Sequence, residues 1–197
     1  MKWLVTAFEP FGQTSSNSSL EVLKSLEKLE WRDQVQFHSP VPVVFTSAWP
    51  DVESALQSKF SDVDGVLALG QAGGRSKIGL ERLALNWVES STLDNSGRAP
   101  TTGKISHSDG DLLWTNIPWA DFKPSQPQLF ETSFSAGVYV CNYLMFHSLK
   151  WAKANGKLAG FVHIPHLASR PVEGQPSLDD TAAIQSIGEA LQFLVRL

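Results

Sequence analysis

The chain has 197 residues, of which 42% are hydrophobic and 18% charged, so a single globular domain over 1–197 is expected and a disordered chain is excluded. Its formal net charge of −4 offers no basic face for phosphates, which argues against nucleic acid as a partner. One cysteine can form neither an internal disulfide nor a thiolate metal site. No apolar run reaches membrane-spanning length and the short apolar start carries no cleavage signal, so we expect a cytoplasmic protein without a membrane partner.

The first part of the chain begins with an apolar run at residues 2–8, which predicts a strand. Ser18 and Glu21 then form a capping-box pattern, and leucines at helical spacing follow it, so a helix is predicted over 19–30. Residues 35–45 are rich in Val and Phe but contain two prolines, which indicates an extended segment at a sheet edge or bend.

The middle of the chain repeats this alternation. A second helix is expected from Ser47 to about Phe60, because proline and aspartate follow Ser47 in the first turn. Val63–Leu69 predicts a strong strand, and the alternating segment 80–88 predicts another. Turn formers and prolines dominate 89–132, which we interpret as a long, partly ordered excursion that covers a site.

The last third contains the only cysteine, Cys141, in the first turn of a predicted helix that ends near 155–156. The apolar segment 158–164 predicts a late strand. Ser177, followed by Asp179, is expected to cap a final helix. The alternation of strands and helices predicts an α/β layered fold around a largely parallel sheet, in which functional residues gather at the carboxyl ends of strands.

Three residues could together perform nucleophilic chemistry. Cys141 is the candidate nucleophile, because helix N-terminal N–H groups and the helix dipole stabilise a thiolate. His163, at the end of a strand, could accept its proton, and Glu81 could orient that base. The alternatives are a buried cysteine, a core histidine satisfied by hydrogen bonds, and a surface carboxylate paired with Arg82 or Arg75.

The glycine-rich loop at 70–75 follows a predicted strand and invites comparison with a phosphate or dinucleotide cradle. However, it lacks the G-x-G-x-x-G pattern, no helix signal follows it directly, and no Gly-Lys-Ser/Thr is present. Its glycines also fit a tight turn that needs positive φ or a close backbone approach.

Several short motifs occur in a fixed order along nearly the whole chain: Phe8-Glu-Pro-Phe-Gly12 with Asn17, Gly70-Gln-Ala-Gly-Gly-Arg75 followed by Glu81-Arg82, Asp94-Asn95, Gly137-Val-Tyr-Val-Cys-Asn142, and Gly160-Phe-Val-His-Ile-Pro165. They resemble the F-D-P-F-G…N, G-Q-A-G-G-R, D-N, G-T-[FY]-V-C-N and G-F-[IV]-H-[VI]-P patterns of the pyroglutamyl peptidase I family of cysteine peptidases, also called pyrrolidone carboxyl peptidases.

The resemblance implies a three-layer α/β/α sandwich and a Glu–Cys–His triad on Glu81, Cys141 and His163. It implies removal of an N-terminal pyroglutamyl residue from peptides, with no metal or organic cofactor. Because pyroglutamate is a small neutral lactam, its pocket should combine apolar walls with a few polar groups. The residues expected to bind it are Phe8, Phe11, Asn17, Gln71, Tyr139 and Val140. Support for the oxyanion or its loop is expected from Arg75 and Gly74.

Two positions depart from the family pattern. Ser91 stands where the family usually carries arginine, ten residues after the triad glutamate, and Phe134 replaces an asparagine. The triad residues are retained, so these changes are expected to alter affinity, rate or specificity. The alternative is a weakened or inactive relative that binds a lactam-ended ligand without turning it over. The sequence leaves open whether the chain forms a homo-oligomer.

Overall fold

The structure is a computed structural model that describes residues 1–12 and 14–197. The strands, in chain order, are β1 (Trp3–Phe8), β2 (Val35–Val41), β3 (Gly65–Gln71), β4 (Ile78–Glu81), β5 (Leu83–Leu85), β6 (Leu112–Trp114), β7 (Phe130–Ser133), β8 (Leu158–Ile164), β9 (His166–Leu167) and β10 (Ser177–Leu178). The helices are α1 (Ser18–Leu26), α2 (Ala48–Gln57), α3 (Val140–Asn155) and α4 (Asp180–Val195), with short 3₁₀ helices at Trp119–Asp121 and Pro127–Leu129.

The central sheet has the strand order β2-β1-β3-β8-β4-β7. Strands β2, β1, β3 and β8 run parallel, whereas β4 is antiparallel to β8 and parallel to β7. The carboxyl ends of β1, β3 and β8 therefore meet at one edge, where ligands bind in sheets of this kind. The prediction of an α/β fold around a mostly parallel sheet is confirmed.

Successive side chains of a strand point to opposite faces of a sheet, so apolar side chains lie on both faces here. Helices cover each of these faces. Leu4 and Phe8 of β1 join one apolar core with α2 and α3, whereas Trp3 and Val5 join a second core with α1 and α4. These are the three layers of the expected α/β/α sandwich. The early extended segment lies at the sheet edge as β2, which agrees with its two prolines.

The start of α1 differs from the predicted capping box. Asn17 is the N-cap, and its Oδ1 accepts a hydrogen bond from the Ser19 N–H at 3.0 Å. The Ser18 N–H donates to Gln71 Oε1 at 2.8 Å instead of joining a capping box with Glu21. Asparagine and serine are equally good N-caps, so local preference does not decide between Asn17 and Ser18. The hydrogen bond from Ser18 to β3 decides it, and the helix starts one residue earlier than predicted. The helix also ends earlier, at Leu26.

The predicted strand over 80–88 is wrong as a single element. The chain leaves the central sheet after Glu81, where the Arg82 N–H donates to Ser133 O at 2.7 Å and Arg82 O accepts from the Thr115 N–H at 2.9 Å. The next residues pair as β5 with β6 in a separate two-stranded sheet. The backbone hydrogen bonds of Arg82 therefore mark the point at which the alternating segment passes from the central sheet to the two-stranded sheet.

The excursion over 89–132 does not cover the site as a whole. Its later part buries Ile117, Trp119 and Phe122 in the core that α1 and α4 share, because these large apolar side chains gain most from leaving water. At the last helix, Asp179 is the N-cap and accepts from the Ala182 N–H at 2.9 Å, whereas Ser177 belongs to β10. In the part of the chain that the structure describes, no helix is long and apolar enough to cross a membrane.

His147 of α3 makes stability depend on pH. Its ring lies 5.8 Å from the Trp49 ring and 4.5 Å from the Tyr143 ring, between centroids, and its Nε2 is buried without a partner among the described residues. Burial, with the charge of Lys150, lowers the pKa of His147 from 6.5 to about 4, although Asp109 raises it. The folded state therefore resists a proton that the unfolded chain accepts.

We expect the free energy of unfolding to fall by about 1–2 kcal/mol through this residue as the pH drops from about 6.5 to about 4, after discounting for its partial exposure. His147→Phe should remove that loss and keep the ring packing. Urea titrations at about pH 7 and about pH 4.5 measure it. His107→Gln, at an exposed histidine, is the control and should retain the wild-type loss. Equal acid sensitivity of His147→Phe and wild type would contradict the assignment.

Candidate active site

The cysteine lies in the first turn of α3, as its sequence pattern predicts. Gly137 precedes the helix with φ of +82°, a left-handed conformation that favours glycine. Asn142, which is fully buried, then anchors the helix start. Its Oδ1 accepts from the Leu85 N–H at 2.8 Å, and its Nδ2 donates to Leu85 O at 2.9 Å and Trp87 O at 3.0 Å. These bonds to β5 and the residues after it fix where Cys141 stands.

The N-terminus of α3 retains free backbone donors. The N-cap residue, Tyr139, makes no side-chain capping bond. The first N–H bonded within the helix is that of Tyr143, which donates to Tyr139 O at 3.1 Å. The N–H groups of Val140, Cys141 and Asn142 therefore bond to no other residue among those described, as the geometry of a helix start requires. Such groups can bind a developing negative charge.

Glu81 joins the base to a cation. Its Oε1 lies 2.7 Å from His163 Nδ1 and accepts a hydrogen bond from Arg75 Nη1 at 2.8 Å. Glu81 is fully buried and His163 is 4% exposed. Because a carboxylate only accepts, Nδ1 of the neutral imidazole carries the proton and Nε2 is left as the basic nitrogen. Arg75 also donates from Nη2 to Ser135 O at 3.1 Å, which ties Glu81 to the segment before α3.

Two glycines leave the space that the contacts of Glu81 require. One of them was not identified from the sequence. A Cβ on Gly79 would collide with Arg75 Nη1 and lie 3.4 Å from Glu81 Oε1. A Cβ on Gly70 would lie 2.7 Å from the Phe161 ring and 3.2 Å from the His163 ring. Gly79 stands two residues before the glutamate, and this spacing on one strand face was the available signal.

The electrostatics keep both the thiol and the imidazole neutral. Burial and the charge of Glu81 raise the pKa of Cys141 from 9.0 to about 12, against smaller lowering effects of Arg75 and the backbone N–H of Cys141. Burial also lowers the pKa of His163, although its hydrogen bond to Glu81 opposes this shift. Desolvation and a nearby carboxylate therefore outweigh the stabilisation that the helix start offers to a thiolate.

The three candidate residues come to one region, but not into one hydrogen-bonded chain. Glu81 contacts His163, whereas no hydrogen bond joins Cys141 to His163 among the described residues. Without substrate, such contacts are often longer than in the reacting complex. The arrangement offers a neutral nucleophile, an oriented base and free oxyanion donors.

A small pocket opens beside the cysteine and encloses about 240 Å³ of empty space, part of it open to solvent. All six residues expected to bind substrate line it together with Cys141. The full lining is Phe8, Phe11, Asn17, Val43, Gln71, Tyr139, Val140 and Cys141. Val43 was missed, because it follows β2 as one of several apolar residues and carries no signal of its own.

The polar groups of the pocket are largely held by the protein. Asn17 Nδ2 donates to Glu9 O at 2.9 Å, and its Oδ1 accepts from Ser19. Gln71 Oε1 accepts from both the N–H and the hydroxyl of Ser18, at 2.8 and 2.9 Å. The Gln71 amide is thereby oriented, with its NH₂ group left for another acceptor.

The remaining candidate positions lie around this site. Gly74 has φ of +81°, which suits the turn that carries Arg75. The contacts of Arg75 with Glu81 and Ser135 favour loop support over direct contact with an oxyanion. Ser91 is exposed. Phe134 is 59% exposed and packs edge-on against Trp114, with 6.3 Å between ring centroids. Over residues 1–12 and 14–197, no group of three or more His, Cys, Asp or Glu could hold a metal ion.

Comparison with known proteins gives one consistent family. A family model described as "Pyroglutamyl peptidase" matches residues 1–196. The chain is 34% identical to a pyrrolidone-carboxylate peptidase of Lactobacillus acidophilus, over 99% of each protein. It is 36% identical to pyrrolidone-carboxylate peptidase 1 of Caldanaerobacter subterraneus subsp. tengcongensis, over 100% of this chain and 98% of the relative.

Solved structures agree with the sequence matches. Pyroglutamyl peptidase I of Bacillus amyloliquefaciens is 28% identical, with a TM-score of 0.90 over 100% of this chain and 97% of that one. Pyrrolidone carboxyl peptidase of Fervidobacterium islandicum AW-1 is 27% identical, with a TM-score of 0.89 over 100% of this chain and 99% of that one.

Proposed function

The chain belongs to the pyroglutamyl peptidase family and is a cysteine peptidase of the pyroglutamyl peptidase I type, and from this premise we propose that Cys141, His163 and Glu81 remove an N-terminal pyroglutamyl residue from peptides. The observation that carries the proposal is the Glu81–His163 contact of 2.7 Å at the edge of the sheet where Cys141 lines a small pocket. The substrates would be cytoplasmic pyroglutamyl peptides.

In the proposed mechanism, Cys141 Sγ attacks the carbonyl carbon between pyroglutamate and the next residue. His163 Nε2 takes the thiol proton during the attack, because the raised pKa of Cys141 leaves the thiol protonated at rest. Glu81 accepts the Nδ1–H and stabilises the imidazolium that forms. The free N–H groups at the start of α3 bind the oxyanion.

The tetrahedral intermediate then collapses by breaking the carbon–nitrogen bond. His163 returns its proton to the leaving amine, and a thioester between Cys141 and the pyroglutamyl group remains. A water molecule attacks this thioester while His163 accepts a proton from it. The second collapse breaks the carbon–sulfur bond, and His163 returns its proton to the sulfur, which releases pyroglutamate and regenerates the Cys141 thiol.

The pocket is suited to a lactam, which is small, neutral and polar at only two groups. Phe8, Phe11, Tyr139 and Val140 would contact the ring faces. The free NH₂ group of Gln71 would donate to the lactam carbonyl. A small apolar pocket with few oriented polar groups favours such a ligand over a charged amino terminus, whose desolvation would be costly.

The experiment is hydrolysis of L-pyroglutamyl 7-amino-4-methylcoumarin, compared with the L-prolyl conjugate. The two substrates share the five-membered ring, but proline lacks the lactam carbonyl and carries a charged amine. Release of the fluorescent amine from the pyroglutamyl conjugate alone is the expected result. Equal hydrolysis of both, or hydrolysis of neither by folded protein, would refute the proposal.

The serine at position 91 is expected to weaken this activity without removing it. A guanidinium at this position could brace the loop or hold a substrate carbonyl, whereas one short hydroxyl cannot reach as far. Ser91→Arg should therefore raise kcat/KM several-fold, on the order of one added hydrogen bond to a charged donor. Steady-state kinetics on the pyroglutamyl conjugate measure it, with Ser91→Lys as the control for charge alone. A lower or unchanged value in a well-folded Ser91→Arg variant would mean that the site is built around serine.

A further inference from the structure

The pocket has walls from separate parts of the chain, and one loop bonds to each of them from outside. Phe8 ends β1 and Phe11 follows it, Val43 follows β2, and Tyr139 precedes α3. Residues 93–98, which we name the brace, contribute no side chain to the pocket lining.

The first contact of the brace is a closed set of hydrogen bonds around Val43. Glu9 Oε1 accepts from the Val43 N–H at 3.0 Å and from Asn95 Nδ2 at 2.8 Å. The Asn95 N–H donates to Val43 O at 2.9 Å. The three residues thus bond pairwise, and two of them lie in or beside pocket walls from different strands.

The second and third contacts reach the aromatic walls. Asn95 Nδ2 also donates to Pro10 O at 2.9 Å, directly before Phe11. Leu93 O accepts from the Tyr139 hydroxyl at 2.9 Å. One loop therefore holds the backbone next to Phe11 and the phenol of Tyr139, two residues before the cysteine.

The brace is itself rigidly held. Asp94 is 6% exposed, and its Oδ1 accepts from the Ser96 N–H at 2.9 Å and from the Arg98 N–H at 3.1 Å. Its Oδ2 accepts from the Phe45 N–H at 3.2 Å. A loop ordered by its own buried carboxylate can transmit a fixed position to the walls that it touches.

We propose that Asn95 is a positioning residue for pyroglutamyl recognition, which acts by joining the Phe11 and Val43 walls through Glu9. This inference rests on the proposed function and deepens it. Asn95 touches no reacting atom, so its loss should alter binding of the lactam and not the chemistry at Cys141. Only a group with two N–H donors can bond Glu9 Oε1 and Pro10 O together, which asparagine provides.

The test is Asn95→Ala, assayed with L-pyroglutamyl 7-amino-4-methylcoumarin. KM should rise about five- to tenfold, because the variant loses two hydrogen bonds that support the pocket, one to a carboxylate and one to a backbone carbonyl. The value of kcat should change by less than about threefold. The rate of Cys141 alkylation by iodoacetamide should stay within about twofold of wild type. Thr92→Ala, an exposed position just before the brace, is the matched control and should leave KM unchanged.

Two further measurements separate a failed inference from a failed function. In the Cys141→Ser background, calorimetry with free L-pyroglutamate should show weaker binding when Asn95→Ala is added. Glu9→Gln keeps one acceptor for the Val43 N–H and should raise KM less than Asn95→Ala does. If folded Asn95→Ala kept the wild-type KM and the wild-type affinity for pyroglutamate, the inference would be overturned. The proposed function would still stand if the wild-type protein hydrolysed the pyroglutamyl conjugate. Loss of kcat together with altered alkylation would also overturn it, because Asn95 would then act on the catalytic residues.

Discussion

Cys141→Ser is expected to lower kcat by about 10³- to 10⁶-fold on the pyroglutamyl conjugate while the protein stays folded. The alcohol of serine gives up its proton far less readily than a thiol, and His163 already has a lowered pKa, which limits its strength as a base. Steady-state kinetics at high enzyme concentration measure the residual rate. Circular dichroism and urea titration verify that the variant is folded.

The same residue permits a covalent check, since Cys141 is the only cysteine in the sequence. Iodoacetamide should inactivate wild type in step with the addition of one carbamidomethyl group, and free pyroglutamate should slow both processes equally. Mass spectrometry and residual activity are followed in one time course. Activity that persists in fully alkylated protein, or in Cys141→Ser, would exclude this thiol as the nucleophile.

Glu81→Gln is expected to lower kcat by about 10²- to 10⁴-fold. The glutamine side chain can present its NH₂ group to His163 Nδ1, which would move the ring proton to Nε2, where a base must be free. It also removes the negative charge that stabilises the imidazolium beside Arg75. Steady-state kinetics measure the loss.

The control for this variant is Glu131→Gln. Glu131 is the other carboxylate near the same guanidinium, with 3.9 Å between Arg75 Nη1 and Glu131 Oε1, and its side chain is 42% exposed. Removing its charge should change kcat by less than about threefold, because an exposed ion pair contributes little. A similar loss in both variants would mean that the general charge around Arg75 matters, not the contact with His163.

Alkylation of Cys141 in the Glu81→Gln variant should change in the opposite direction to hydrolysis. The charge of Glu81 raises the pKa of Cys141, so its removal lowers that pKa and increases the thiolate fraction at any pH below about 12. Faster alkylation with slower turnover would distinguish an orienting carboxylate from a residue that merely maintains the fold. Slower alkylation would contradict the neutral resting pair.

The local pattern of residues was sufficient for much of the fold. Helical spacing after Cys141 placed it in the first turn of α3, and apolar runs identified β1, β3 and β8, because burial of a strand or of one helix face leaves a periodic trace in the sequence. The sequence predictions were wrong where two local structures are nearly equal in free energy. Asn17 and Ser18 are both good N-caps, and a bond from Gln71, 53 residues away from Ser18, decided between them.

The sequence by itself determined the family, the α/β class and the residue types of the site, since motifs and periodicity are properties of neighbouring residues. Only the tertiary structure decided how they meet. Antiparallel pairing of β4 with β8 sets Gly79 opposite His163, which leaves room for Arg75 to bond Glu81 and for Glu81 to reach the ring. Burial and the charge of Glu81 raise the pKa of Cys141, and the contacts of Asn95 with Glu9 and Val43 join three distant segments. Solvent exclusion and long-range pairing arise only when the chain is folded, so no local pattern encodes them.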